Sequence, residues 1–145
     1  MVTQAEAKST ARELFAGRKG LFDRLQGVFD NAGIDQRHTV APLNWYAGDH
    51  RWESRNTLYL EAAERLFQDA AAKAIAAAGL TPADIDGVVC VSTTGIATPS
   101  LEARCGPQLG LRDDVRRVPV FGLGCAGGVS GLATAARLAA AEPGT

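Results

Sequence analysis

Cysteine is scarce in this sequence, and nothing in its placement suggests pairing. The three cysteines are Cys90, Cys105 and Cys125. The number is odd, the spacings are wide and no C-x-x-C pair occurs, which argues against a disulfide framework and against a zinc site. Charge of one sign is also lacking. Fifteen basic and sixteen acidic residues leave a formal net charge of −1, so there is no basic excess for a general nucleic-acid-binding surface. No apolar run approaches the length of a membrane span, and residues 1–10 lack the apolar stretch of a signal peptide. The cysteine pattern fits a reducing cytoplasm best, in which each cysteine is a small buried apolar residue or a reactive thiol. What is present is an ordinary balance, 46% hydrophobic and 21% charged over 145 residues, enough for one modest domain with a real core. Pro143 and Gly144 form a helix stop directly after a strong helical pattern. Nothing follows them to continue the alternation of strands and helices, so the sequence is expected to be part of a longer protein.

The apolar spacing predicts a helix over 3–17, with Thr3 as N-cap, Glu6 completing a capping box, and Gly17 or Gly20 ending it. A second helix is predicted over 21–31, stopped at Gly33. Residues 34–56 lose the pattern and gather both histidines, His38 and His50, with Trp45, Tyr46 and Trp52. They read as a long ordered loop whose aromatic residues pack on something. Residues 57–78 predict an alanine-rich helix with Leu60, Ala63, Phe67, Ala70, Ala71, Ala74 and Ala78 on its buried stripe. Thr81 caps a short turn that begins at Pro82. Residues 85–93 are β-branched and nearly continuous in apolar character, as in a central strand covered on both faces. A loop over 95–100, a helix over 101–109 closed by Gly110, and a strand over 115–120 follow. Pro119 marks the end of that strand as an edge or a bulge. Helix returns over 129–140, with Leu132, Ala135, Ala136, Ala139 and Ala140 as its apolar face. The rhythm of helix, strand, helix, strand, helix is that of an α/β fold with a mainly parallel sheet.

The segment with chemical content runs from Gly122 through Leu123, Gly124, Cys125, Ala126 and Gly127 to Gly128. A strand feeds a glycine turn, and a helix begins just after the cysteine. The free amides and positive dipole end of a helix favour thiolate over thiol. The same amides can stabilise an oxyanion on a thioester carbonyl, and the glycines let a bulky acyl carrier approach the backbone. Taken from the residues alone, three other readings stand beside this one. The turn could hold an inert buried cysteine, it could cradle a phosphate, or its G-x-G-x-x-G spelling could be a dinucleotide fingerprint. The last ranks below acyl transfer, because that motif belongs to a first βαβ unit with an acidic residue about 20 positions on.

The run from Gly122 to Gly128 resembles the nucleophile signature of type III polyketide synthases, the chalcone-synthase-like group. The similarity continues upstream in Gly110-Leu111-Arg112, Val115, Arg117 and Val118. It also takes in the segment from Val91 to Gly95 with Pro99 and Ser100, the run from Leu80 to Asp86, Asn31 to Ile34, Arg37, and Arg55 with Asn56. The resemblance implies a thiolase-like fold, layered α/β/α/β/α, of which residues 1–145 would be the N-terminal half. It implies that Cys125 is loaded with an acyl starter from a coenzyme A thioester. Malonyl-CoA is then decarboxylated, and its enolate attacks the cysteine-bound thioester in a Claisen condensation. Thr93 aligns with a pocket-lining threonine, and Thr98 with a position that reaches across a dimer interface. Arg24 falls at one of the basic positions that bind CoA phosphates, whereas Gly27 and Asn31 stand where others would be expected. No permanently bound cofactor and no metal are implied; malonyl-CoA and acyl-CoA are substrates.

The family's catalytic histidine and asparagine would lie beyond residue 145, and His38 and His50 match neither. Cys90 and Cys105 read as packing residues. The implied protein is a homodimer whose 145-residue part alone is inactive. Other chemistries on the same fold, a ketosynthase III or an HMG-CoA-synthase-like reaction, are the first alternative. A non-catalytic half that assembles with a separate C-terminal part is the second.

Overall fold

The computed structural model describes residues 1–18 and 20–141, so the stop at Pro143 and Gly144 lies outside the described residues. The chain divides into two compact units, Met1–Arg51 and Trp52–Thr145.

In the first unit, strand β1 (Val2–Thr3) pairs antiparallel with β2 (Gln36–Arg37). Helix α1 (Gln4–Leu14) begins at the expected capping box: the Glu6 amide donates to Thr3 Oγ1, and the Thr3 amide donates to the Glu6 carboxylate at 2.8 Å. It ends three residues before Gly17, where the Phe15 amide donates back to the Ala11 carbonyl. The helix expected over 21–31 is two helices, α2 (Leu21–Leu25) and α3 (Gly27–Asn31). The break falls where Gly27, a poor helix former, enters the sequence. Gly33, at φ +63°, turns the chain away afterwards.

Residues 34–56 are not one loop. They hold β2, helix α4 (Leu43–Tyr46) and the first turn of helix α5. Strand β2 is only two residues long and is held by long-range contacts that no local period reveals, among them Arg37 Nε donating to Gln4 Oε1 at 2.8 Å. Of the aromatic residues there, Trp45 stacks on His50 with ring centroids 3.9 Å apart, and Tyr46 meets Trp45 edge-on. Trp52 packs less than expected and is 60% exposed.

The second unit carries the sheet. Helix α5 (Trp52–Ala77) starts five residues before the predicted boundary, because Glu53, Ser54 and Arg55 continue the helix without any apolar signal. Its inward stripe is also rotated from the expected one. Ala62 is buried, Tyr59, Ala63, Phe67, Ala71 and Ile75 are half-buried, and Ala70, Ala74 and Ala78 are exposed. A single 3₁₀ turn (Pro82–Asp84), capped by Thr81 as predicted, leads into strand β3 (Gly87–Ser92). Helix α6 (Leu101–Leu109), closed by Gly110 at φ +73°, crosses over to strand β4 (Arg116–Phe121). The two strands are parallel, in register from Gly87 opposite Arg116 to Ser92 opposite Phe121.

Strand β3 has a helix layer on both faces, as its apolar run implies. Val89 and Val91 face helix α7 (Gly127–Ala141), while Val88 and Cys90 face α5 and α6. Among the described residues it pairs on one edge only, with β4. Pro119 makes no bulge; the register runs evenly through it, opposite Cys90. The amides of Arg116 and Gly122 donate to Asp86 and Ser92, so even-numbered residues here point their amides at β3. Pro119 is odd-numbered, and its missing N–H falls on the side away from β3, where it costs the ladder nothing.

Helix α7 differs from its predicted face. Gly127 and Gly131 are its buried residues, whereas Leu132 is 74% and Val129 75% exposed. Periodicity identifies large apolar residues as the inner face; here the helix approaches the sheet through glycines because Val89 and Val91 need the room.

Candidate active site

Strands β3 and β4 end side by side, and the loops that follow them carry the candidate residues. After β4, Gly122 at φ +83° and Gly124 at φ +55° turn the chain sharply, angles that only glycine adopts at little cost. A 3₁₀ turn (Gly124–Ala126) then holds Cys125 and runs straight into α7, with the Gly127 amide donating to the Gly124 carbonyl. Cys125 is exposed and lies outside the body of any α-helix. After β3, Thr93 begins the neighbouring loop. The Gly122 amide donates to the Ser92 carbonyl, so Thr93 and the cysteine turn leave the sheet at the same carboxyl edge, where open α/β sheets place their ligands. Thr98 lies further along this loop, before a cis bond to Pro99, and both threonines are exposed. Arg24 is exposed on α2 and belongs to the other unit, as do His38 and His50.

The other two cysteines differ in kind from Cys125. Cys105 is wholly buried, with its thiol 3.8 Å from the Glu64 carbonyl, and burial raises its pKa. Cys90 is pushed from the ordinary 9.0 up to about 11, first by burial and then by the negative charge of Glu102. It therefore stays neutral in the fold at pH values where the unfolded chain has begun to ionise. The stability this confers is complete below pH 9.0 and is lost as pH rises toward about 11. The slope is at most about 1.4 kcal/mol per pH unit. Urea unfolding measured on either side of pH 9.0 should show this decline, and Cys90→Ala should flatten it; an identical slope in the variant would contradict the assignment.

Four residues at the site carry no motif that singles them out as functional. Ser92, Tyr59 and Glu102 line a cavity of about 100 Å³ under the ends of the strands, together with Cys90, Gly95 and Phe121. Glu102 is 1% exposed, and neither of its carboxylate oxygens has a hydrogen-bond partner among the described residues. Helical spacing could have found it, since positions 102, 105 and 106 share one face of α6 with the apolar Cys105 and Gly106. The fourth residue, Asn56, joins the loop after β3 from α5, a pairing 40 residues apart that no local pattern contains.

Residues 43–145 match the chalcone and stilbene synthases, N-terminal domain. The chain belongs to this family. It is 47% identical over 108 residues to 1,3,6,8-tetrahydroxynaphthalene synthase of Streptomyces peucetius subsp. caesius, covering 74% of this chain and 29% of that protein. Its structure is similar to that of 1,3,6,8-tetrahydroxynaphthalene synthase from Streptomyces coelicolor A3(2), a bacterial type III polyketide synthase. The TM-score is 0.85 at 26% identity, over 98% of this chain and 40% of that one. It is also similar to CsyB complexed with CoA-SH, with a TM-score of 0.80 at 27% identity over 96% of this chain and 38% of that one. The fold is thus the thiolase-like α/β fold of the type III polyketide synthases. The chain spans 29–40% of the length of these relatives.

Proposed function

We propose that this chain forms the nucleophile-bearing N-terminal part of a type III polyketide synthase, an acyltransferase that condenses malonyl-CoA onto a cysteine-bound starter. The supporting observation is an exposed Cys125 in the turn that opens α7, next to the carboxyl end of β3. In this reading the Cys125 thiolate attacks the carbonyl of an acyl-CoA and expels the CoA thiolate. Malonyl-CoA loses carbon dioxide, and the resulting enolate carbon attacks the enzyme-bound thioester and releases the cysteine. The positive dipole end of α7 stabilises the oxyanion of each tetrahedral intermediate. Thr93 lines the starter site, Thr98 faces the partner's cavity in a homodimer, and Arg24 meets the CoA phosphates. Similarity to a structure complexed with CoA-SH supports coenzyme A thioesters as the substrates.

The acid–base groups come from a C-terminal part beyond these residues, so the 145-residue chain alone is inactive. The complete enzyme is a cytoplasmic protein in this reading; none of the described helices is long and apolar enough to cross a membrane. Incubating the full-length enzyme with malonyl-CoA and a series of acyl-CoA starters should yield pyrone, resorcinol or chalcone-type products by mass spectrometry. Strict dependence on malonyl carrier protein would instead assign a ketosynthase III, and condensation of acetyl-CoA with acetoacetyl-CoA without use of malonyl-CoA an HMG-CoA-synthase-like enzyme.

A further inference from the structure

The loop from Thr93 to Ser100 is tied to α5 at several points. Asn56 Nδ2 donates to the Ile96 carbonyl at 2.9 Å, and the Ile96 amide donates to Asn56 Oδ1 at 2.8 Å. The side-chain amide thus occupies both backbone groups of one loop residue, as a neighbouring strand would. Three residues further along α5, on the same helix face, the Tyr59 hydroxyl is hydrogen-bonded to Ser92 Oγ. Ser92 Oγ in turn reaches the Gly95 carbonyl at 3.2 Å. The Tyr59 ring fills the space at Gly95 so closely that a methyl group there would lie 2.2 Å from Tyr59 Cδ1. Thr93 and Thr98 flank this clamped stretch on either side and are themselves exposed.

We propose that Asn56 and Tyr59 are positioning residues that fix the loop carrying Thr93 and Thr98, and through it set which acyl starter the site around Cys125 accepts. This rests on the condensing reaction proposed above. The physical reason is that neither residue need touch a substrate. A loop of this length, freed from its clamp, samples more conformations. The walls it supplies would then discriminate less between starters of different length, while the cysteine, on a separate turn after β4, keeps its own support.

Two measurements on the full-length enzyme test this separately from the function. The first is hydrogen exchange at the Ile96 amide. It should be slow in the wild type and about 2- to 10-fold faster in Asn56→Ala, the loss expected for one hydrogen bond of ordinary net strength; equal exchange rates would remove the clamp itself. The second is the ratio of kcat/KM for a long-chain to a short-chain acyl-CoA starter. Asn56→Ala and Tyr59→Phe should each shift it by about 3- to 10-fold in the same direction. Lys73→Ala, which removes a solvent-exposed pair with Asp69 elsewhere on α5, should leave it unchanged. A common loss for all starters, following only a lowered melting temperature, would reduce the two residues to scaffold and overturn the proposal. If the wild type condenses no starter at all, the proposed function fails, and the selectivity role fails with it. The exchange result would still report on the clamp.

Discussion

Replacing Cys125 by alanine in the full-length enzyme should abolish polyketide formation, with turnover lowered by roughly 10³-fold or more, the scale of loss when a covalent nucleophile is removed. The same variant should show no mass increase after incubation with an acyl-CoA starter. The expectation rests on a difference among the three thiols. Cys125 is exposed on a turn, whereas Cys90 and Cys105 are buried at 9% and 0% exposure. Burial raises the pKa of both, to about 11 for Cys90. At neutral pH, Cys90 then holds about 100-fold less thiolate than a thiol at the ordinary 9.0, before steric protection is counted. Brief treatment of the native enzyme with iodoacetamide should therefore modify Cys125 and leave the other two intact until the fold is opened. Unchanged turnover in the alanine variant, or equal labelling of all three thiols, would remove the mechanism.

Much of the fold was legible in the sequence because its signals are local. The capping box at Thr3 and Glu6, the Pro82 turn, the closure of α6 at Gly110 and the glycine elbow at Gly122 and Gly124 each depend on a few adjacent residues. The cysteine turn was readable for the same reason. What escaped depends on distant partners or on a reversal of the usual size rule. Strand β2 exists only through its pairing with β1 and the reach of Arg37 to Gln4. Asn56 is a polar residue in the first turns of α5, and its meaning lies in a loop 40 residues on. The early start of α5 was missed because Glu53 to Asn56 carry helix propensity but no apolar period. The inner face of α7 differs from its apolar period because Gly127 and Gly131, not Leu132 and the alanines, are its buried residues.

That inversion gives the second large expected effect, in the pair of glycines at the start of α7. A methyl group on Gly127 would lie 2.6 Å from Val91 Cγ1, and one on Gly131 would lie 2.6 Å from Val91 Cγ2. Val91 is the next-to-last residue of β3, paired with Val120, and its β-branched side chain has little freedom to rotate away. The helix must therefore shift outward, at a cost of about 1–3 kcal/mol for each alanine, as for other overpacked cores. The two positions should part company in function. Gly131 lies one turn further along α7, so Gly131→Ala should mainly lower the melting temperature. Gly127 is two residues from Cys125, and its amide closes the turn that holds the cysteine. A displacement of about 1 Å there is enough to lower turnover by roughly 10²-fold. Gly128, which has nothing within 4 Å of where its Cβ would stand, supplies the comparison. Gly128→Ala should melt at or above the wild-type temperature, because alanine favours the helix by up to about 1 kcal/mol. If Gly127→Ala and Gly128→Ala melt alike, close approach to Val91 is not what keeps glycine at the head of this helix.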